Sequence, residues 1–233
     1  PHVRSEAPFT GRANLFAETS GVLILDTESI DRFNGVDEAI TVATLPPMRA
    51  VVSGEMIATV KVIPYGLPGA SAAAAVTALQ GVAALKIAPF RPLRVAVIST
   101  LLPGLKTSVI DKTLKIMAER LEPSLSRVSA DIRIPHAPGA LAAELKRVSA
   151  QNHDLIVIFG ASAITDRRDV IPLALVQAGG VVAHLGMPVD PGNLLMIGEL
   201  GGKPVIGAPG CARSPKENGF DWVLQRLLAD VPV

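Results

Sequence analysis

The sequence predicts a three-layer α/β/α fold around a mostly parallel mixed sheet, preceded by a smaller β-rich domain. From residue 89 onwards, short apolar runs alternate with segments whose apolar residues recur with a helical period. Such alternation is typical of a mostly parallel sheet with helices on both faces. Before residue 88, β-branched runs and turn residues dominate. We therefore expect a β-rich domain over residues 1–88, truncated at its start, and an α/β domain over residues 89–233.

Four local patterns organise the first 88 residues. Residues 21–26 (GVLILD) read as a strand, and residues 27–34 suit a short helix in which Ile30 and Phe33 share a face. The turn residues Ser53-Gly54-Glu55 lie between two β-branched runs of residues 50–66, which predicts a hairpin. The alanine-rich residues 71–85 favour a helix by propensity. A proline-punctuated joint at residues 88–92 ends the region.

The second region predicts strands and helices in alternation. The helix over residues 108–121 is the clearest, because Ile110, Leu114, Met117 and Leu121 share one face and Ser108 is placed as its N-cap. Further helices are expected over residues 139–151 and 169–180. The strands are expected at residues 93–100, 126–134, 154–160, 181–187, 194–200 and 204–207.

Composition argues against several classes of function. The chain has 22 basic and 21 acidic residues and only 3% aromatics, which disfavours nucleic-acid binding. The two uncharged stretches, residues 62–85 and 170–189, are interrupted by proline and glycine, so neither is the continuous apolar run of about 20 residues that a membrane span needs. One cysteine allows no internal disulfide and no zinc site built on paired cysteines, which fits a cytoplasmic protein.

Three predicted loops follow strands and should meet at one edge of the sheet, where open α/β sheets bind ligands. Each leads towards a helix N-terminus, which favours an anion. We expect Lys106 and Arg213 to neutralise phosphates and Asp166 with Asp169 to hold Mg²⁺. The alternative is that these residues are turn glycines and helix caps. The loops supply as candidate ligand-binding residues Thr100, Lys106, Ser108, Asp111, Gly160, Ala161, Ser162, Thr165, Pro209, Gly210, Cys211, Arg213 and Ser214.

The single cysteine suggests a third kind of site, a thiol nucleophile. Cys211 follows a glycine before an expected helix, a position that can lower a thiol pKa. Phosphate-binding loops that use such a cysteine place the helper arginine six residues away, whereas Arg213 is only two residues from Cys211. The four histidines, including His136 and His184, carry no recognisable motif. This hypothesis ranks below anion binding.

Two segments resemble motifs of the molybdopterin-binding superfamily, which includes molybdopterin adenylyltransferases and molybdotransferases. Residues 154–175 (DLIVIFGASAITDRRDVIPLAL) are similar to its strand, glycine-rich turn and Arg-Asp-Val-Thr-Pro pattern. Residues 187–215, which contain Pro191 and Gly192, resemble its second motif, which ends in Pro-Gly-Asn-Pro. The likeness covers about residues 93–228 and implies a molybdopterin-binding-like fold. Bacterial proteins in which such a domain precedes a nucleotidyltransferase-like domain are the most similar.

The resemblance implies molybdopterin or a nucleotide-linked form as ligand, with Pro191 and Gly192 added to the binding residues. Departures from the motifs concern the chemistry: Ala161 replaces a glycine, Cys211 replaces an asparagine, and no acidic residue precedes Asp111 in its loop. One alternative is Mg²⁺-dependent adenylyl or phosphoryl transfer with ATP or AMP, in which Asp169 and Asp166 are catalytic. Another is a non-catalytic module that delivers the cofactor to a nucleotidyltransferase domain or a molybdoenzyme-maturation partner. Homo-oligomerisation stays open.

Overall fold

The computed structural model describes residues 1–233 and has the predicted α/β architecture. Its backbone contacts divide into two compact units. The first comprises residues 1–90 and 229–232, and the second comprises residues 91–228 and 233. No helix is long and apolar enough to cross a membrane.

The first unit consists of seven strands and two helices. Its strands form two antiparallel sheets, of order β1-β2-β6-β4 and β5-β3-β7. One apolar cluster lies under the two helices and the other lies against the smaller sheet. The elements in chain order are β1 (Val3–Ser5), β2 (Arg12–Ala17), β3 (Gly21–Leu25), α1 (Thr27–Asn34), β4 (Ile40–Thr44), β5 (Ala50–Val51), β6 (Met56–Val62), α2 (Gly69–Ala78) and β7 (Leu85–Pro89).

Two predictions for this unit are wrong: the pairing of the two strands around residue 54, and the length of the second helix. The turn at Ser53-Gly54-Glu55 exists, but β5 pairs with β3 while β6 pairs with β2 and β4, so no hairpin joins them. The predicted helix over residues 71–85 ends at Ala78, because Gly81 has a positive φ of 76° and the chain then enters β7. The helix α1 agrees with the prediction, and Asp26 caps it by accepting from Ser29 N at 3.2 Å.

The second unit is built on a six-stranded sheet of order β11-β12-β13-β10-β8-β9. The strands β13, β10, β8 and β9 are parallel, and β12 is antiparallel to both of its neighbours. The mostly parallel mixed sheet is therefore confirmed. The elements are β8 (Arg94–Leu101), α3 (Thr107–Leu121), β9 (Arg127–Pro135), α4 (Pro138–Ser149), β10 (Leu155–Phe159), α5 (Val170–Gln177), β11 (Val181–Leu185), β12 (Met196–Leu200), β13 (Lys203–Ala208) and α6 (Gly219–Leu228).

Helices cover both faces of this sheet. Ala96 and Ile98 of β8 pack into the cluster formed with α4 and α5. Val95 and Val97 alternate with them and are fully buried, so they face the opposite layer, which contains α3 and α6. This gives the predicted three layers. Helix α3 begins at Thr107 with Lys106 at its N-cap and no side-chain cap bond, so the prediction of Ser108 as N-cap is wrong.

Candidate functional site

The end of β8 and the loops after β10 and β13 are joined at the carboxyl edge of the sheet. The Ala161 N–H, after β10, donates to Thr100 Oγ1, near the end of β8, at 3.0 Å. Arg213, which follows β13, donates from Nη2 to Gly160 O at 3.0 Å. The structure therefore brings the end of β8 and these two loops together at the edge where the sequence places a ligand.

A hydrogen-bonded chain of side chains crosses this edge. Thr100 Oγ1 lies 2.7 Å from His136 Nδ1, and His136 Nε2 lies 2.9 Å from Ser162 Oγ. Thr100 is only 1% exposed, so its hydroxyl proton needs a partner in the protein. If that proton goes to Nδ1, Nε2–H donates to Ser162 Oγ and the Ser162 proton is free for a ligand.

His136 is a site residue that the sequence did not single out. It follows β9, the outer parallel strand, and nothing in its local sequence marks it. Burial lowers the pKa of His136, while the charge of Asp169 opposes the shift. The lowered pKa favours the neutral imidazole, whose one N–H and one lone pair match the contacts to Thr100 and Ser162.

The turn after β10 requires glycine at its first position. A β-carbon at Gly160 would lie 2.7 Å from Ser162 O and 2.9 Å from Ile171 Cδ1. Such distances are far inside van der Waals contact. Gly210 is different, because a β-carbon there would have no neighbour within 4 Å. Of these two predicted glycines, Gly160 alone is imposed by close packing.

Asp169 holds the loop that precedes α5. Its Oδ2 accepts from Thr165 N at 2.7 Å, Asp166 N at 2.9 Å and Thr165 Oγ1 at 3.1 Å. These bonds, the Thr165 N–H first, lower the pKa of Asp169. Asp169 is the N-cap residue of α5, but its carboxylate turns back to the loop and makes no cap bond within the helix.

Asp166 is engaged by its neighbour. Arg168 donates to Asp166 Oδ1 from Nε at 2.8 Å and from its backbone N–H at 2.7 Å, and to Oδ2 from Nη2 at 3.1 Å. Arg168 thereby lowers the pKa of Asp166 to about 2. No group of three or more His, Cys, Asp or Glu side chains is arranged to hold a metal. Both aspartates are thus engaged by neighbouring donors, and the magnesium site that would use Asp166 and Asp169 stays a prediction.

The loop after β13 directs its polar groups inwards. Arg213 donates from Nη1 to Thr113 Oγ1 at 3.0 Å and lies over the Phe159 ring at 5.3 Å. Burial lowers the pKa of Arg213. With its bonds to Thr113 and Gly160 O, the guanidinium links α3, β10 and this loop. The expectation that Arg213 presents a free fork to phosphate is therefore not supported.

A second arginine fastens the same loop. Arg120 of α3 donates to Asp221 Oδ1 at 2.5 Å, Ala212 O at 2.6 Å and Ser214 O at 2.7 Å. The side chains of Arg120 and Asp221 are only 9% and 10% exposed. This buried ion pair connects α3, α6 and the 3-10 helix Gly210–Arg213, which takes the place of the α-helix expected directly after Pro209 and Gly210.

Cys211 is part of the same internal network. Its Sγ lies 3.5 Å from Asn218 Oδ1, which also accepts from Phe220 N at 3.1 Å. Burial raises the pKa of the Cys211 thiol, the opposite of what a nucleophile requires. Ser214 Oγ accepts from Lys216 N at 3.3 Å. The thiol-nucleophile hypothesis has no support in this geometry.

The loop after β8 keeps its polar groups in solvent. Lys106 and Ser108 are exposed, and their side chains make no hydrogen bond or ion pair. Asp111 accepts from Arg133 Nη2 at 2.8 Å on the surface. Lys106 is therefore the predicted cation that is free for a ligand, whereas Asp111 is paired.

Pro191 and Gly192 form a turn against the start of α6. The Gly219 N–H donates to Pro191 O at 3.1 Å. A β-carbon at Gly192, whose φ is 126°, would lie 2.6 Å from Gly219 N. No hydrogen bond joins this turn to Thr100, His136 or Ser162. Its two predicted site residues are thus part of a tight backbone contact.

Comparisons with known proteins find similar chains among the solved structures. No family model matches the chain, and no curated protein does. Among solved structures, the chain is similar to the molybdopterin biosynthesis MoeA protein from Pyrococcus horikosii, at 16% identity over 99% of this chain and 75% of that one, with a TM-score of 0.43.

Proposed function

We propose that the chain binds molybdopterin, or a nucleotide-linked form of it, during molybdenum cofactor biosynthesis in the cytoplasm. The observation that carries the proposal is the hydrogen-bonded edge formed by Thr100, His136, Ser162 and the Ala161 amide. It lies where open α/β sheets bind ligands, and two of its members, Ala161 and Ser162, belong to the segment that resembles the superfamily's glycine-rich motif.

In this proposal the phosphate of the pterin lies against the loop after β10. The Ser162 hydroxyl donates to it, and the N-terminus of α5 adds its favourable dipole. Lys106, exposed and unpaired, supplies the positive charge. Asp169 acts indirectly, because its three hydrogen bonds keep Thr165 and Asp166 in place.

Binding without transfer is the version that the side chains favour. Asp166 and Asp169 already accept hydrogen bonds from their own loop, which leaves fewer of their oxygen lone pairs for a magnesium ion. A module that presents the cofactor to a nucleotidyltransferase-like domain, or to a maturation partner, needs only binding. Release of pyrophosphate from ATP in the presence of molybdopterin would instead favour the adenylyl-transfer alternative and make Asp169 and Asp166 catalytic.

Titration calorimetry with molybdopterin, and separately with AMP, tests the proposal. We expect molybdopterin to bind with a Kd below about 100 μM, which corresponds to roughly −5.5 kcal/mol. Lys106→Met should weaken binding by about tenfold, because a charge-assisted hydrogen bond is lost. The matched control is Lys112→Met, since Lys112 is an exposed lysine of α3 that makes no side-chain contact. It should change Kd by less than about twofold.

Two results would contradict the proposal. The first is no detectable binding by the unaltered chain at about 100 μM ligand. The second is binding that neither Lys106→Met nor Ser162→Ala weakens, which would move the ligand away from this edge. Binding of AMP alone would indicate that the nucleotide part is recognised and would favour the nucleotide-linked form.

A further inference from the structure

A cavity of about 310 Å³ lies away from this edge, between the outer strands β11 and β12 and helix α6. His184 of β11 and Ile197 of β12 are register partners on its wall. None of the residues that the sequence proposes for the site lines it. Its volume is in the range of small-molecule binding sites, roughly 300–1,000 Å³.

The wall of the cavity is mainly apolar. Leu195 and Val223 are 1% and 3% exposed, so they form a dry floor. Met187 and Ile197 continue this surface. Trp222 closes one side, and its indole N–H donates to Glu217 Oε1 at 3.0 Å, which fixes the ring. The cavity can thus take up a compact hydrocarbon group.

Arg226 is the only arginine or lysine that lines the cavity. It is half-buried, and its guanidinium makes no hydrogen bond or ion pair with the protein. A guanidinium carries five N–H donors and stays ionised, so a partly desolvated and unpaired one favours an anionic partner. Its planar fork matches a carboxylate in two parallel hydrogen bonds.

We propose that this cavity binds a small apolar carboxylate, with its ring or short chain against Leu195 and Val223 and its carboxylate on Arg226. A phosphate monoester is a poorer fit, because its second charge would meet no second arginine or lysine among the lining residues. A neutral apolar ligand would leave the Arg226 donors unpaired. The site is independent of the proposed molybdopterin site.

Trp222 makes the test direct, because it is the only tryptophan of the chain. The probes are cyclohexanecarboxylate and cyclohexanecarboxamide, which have the same ring and differ in charge. We expect the carboxylate to change Trp222 emission saturably and to bind about tenfold more tightly than the amide, since its hydrogen bonds are charge-assisted.

Two variants locate the effect. Arg226→Gln should reduce the preference for the carboxylate to less than about twofold while the amide still binds. The matched control is Arg127→Gln, because Arg127 is an exposed arginine of β9, on the other edge of the sheet, without side-chain partners. It should keep the full preference. Ile197→Phe fills the cavity and should abolish binding of both probes.

The proposal is overturned if the unaltered chain binds the two probes equally, or shows no saturable emission change up to about 10 mM, which is weaker than about −2.7 kcal/mol. Retention of the carboxylate preference in Arg226→Gln would also overturn it. So would binding that survives Ile197→Phe in a variant whose circular dichroism is that of the folded chain.

Discussion

The loops after β10 and β13 follow neighbouring buried strands, yet their polar groups do opposite things. After β10, Ser162 completes a hydrogen-bonded chain that ends at the surface. After β13, Arg213 is bonded to Thr113 and Gly160 O, and Cys211 lies against Asn218. One loop presents donors, and the other braces the sheet edge from within. A polar residue at a strand end is therefore a candidate for binding a ligand only if its hydrogen-bonding groups are not already used within the protein.

The largest effect should come from the buried ion pair of Arg120 and Asp221. Arg120→Leu leaves Asp221 buried without its partner and removes the donors to Ala212 O and Ser214 O. We expect the free energy of unfolding to fall by about 3–5 kcal/mol. Urea denaturation followed by Trp222 emission measures it, since Trp222 adjoins Asp221.

The exposed Arg127→Leu is the control and should cost less than about 0.5 kcal/mol. Adding Asp221→Leu to Arg120→Leu should recover part of the loss, because the stranded charge is then gone. If Arg120→Leu alone lowers the free energy of unfolding by less than about 1 kcal/mol, the ion pair is not needed for stability.

A matched pair of glycine variants separates the two turns. Gly160→Ala places a β-carbon 2.7 Å from Ser162 O and should destabilise the chain by about 1–3 kcal/mol. Gly210→Ala meets nothing within 4 Å and should be neutral or stabilise by up to about 1 kcal/mol. Melting temperatures of the two variants check this, and equal shifts would remove the steric distinction between the loops.

Acid titration should reveal how Asp169 holds the loop after β10. Its folded pKa is depressed, so its contribution to stability is present above the unfolded pKa near 3.8 and is lost as pH falls through the folded value. The amide NMR signals of Thr165 and Asp166 should titrate with midpoints below 3.8. Asp169→Asn should shift both signals at neutral pH. A midpoint at or above 3.8 would contradict the view that Asp169 holds this loop through its hydrogen bonds.

The smallest effect is expected at Cys211. Burial raises the pKa of its thiol, so the reactive thiolate is scarce at pH 7. Iodoacetamide should label it more slowly than free cysteine, and Cys211→Ser should change stability by about 1 kcal/mol or less. Mass spectrometry follows the labelling without ambiguity, because the chain has one cysteine. Labelling faster than free cysteine would reopen the nucleophile hypothesis.

The elements that sequence predicted well are those whose signal is local. The apolar run of β10 and the one-faced helix α3 were recognisable from periodicity, and their alternation gave the layer order. The paired runs β5 and β6 misled because a turn signal does not specify the partner strand. The start of β7 follows an alanine-rich stretch that favours helix, so the sequence extends the helix into it. Pairing with β3 makes these residues a strand instead.

The candidate site shows the same division. The meeting of the end of β8 with the loops after β10 and β13 followed from strand order alone, because the carboxyl ends of parallel strands share an edge. His136 was missed because its role depends on the pairing of β9 beside β8, which sets it against Thr100 and Ser162. The sequence assigned Arg213 to a ligand because its real partners could not be recognised. They are Thr113 and Gly160 O, which are distant from Arg213 in the chain.

The contact between Gly192 and Gly219 has a consequence for how much variation the chain tolerates. A β-carbon at Gly192 would lie 2.6 Å from Gly219 N, and one at Gly219 would lie 2.7 Å from Val189 Cγ1. The two glycines therefore occupy the same narrow space between the turn and the start of α6. Neither can accept a side chain unless the turn and the first residues of α6 separate. Neighbours in space, not in sequence, set the limit on substitution there, so the effects of changes at the two glycines are coupled and not additive.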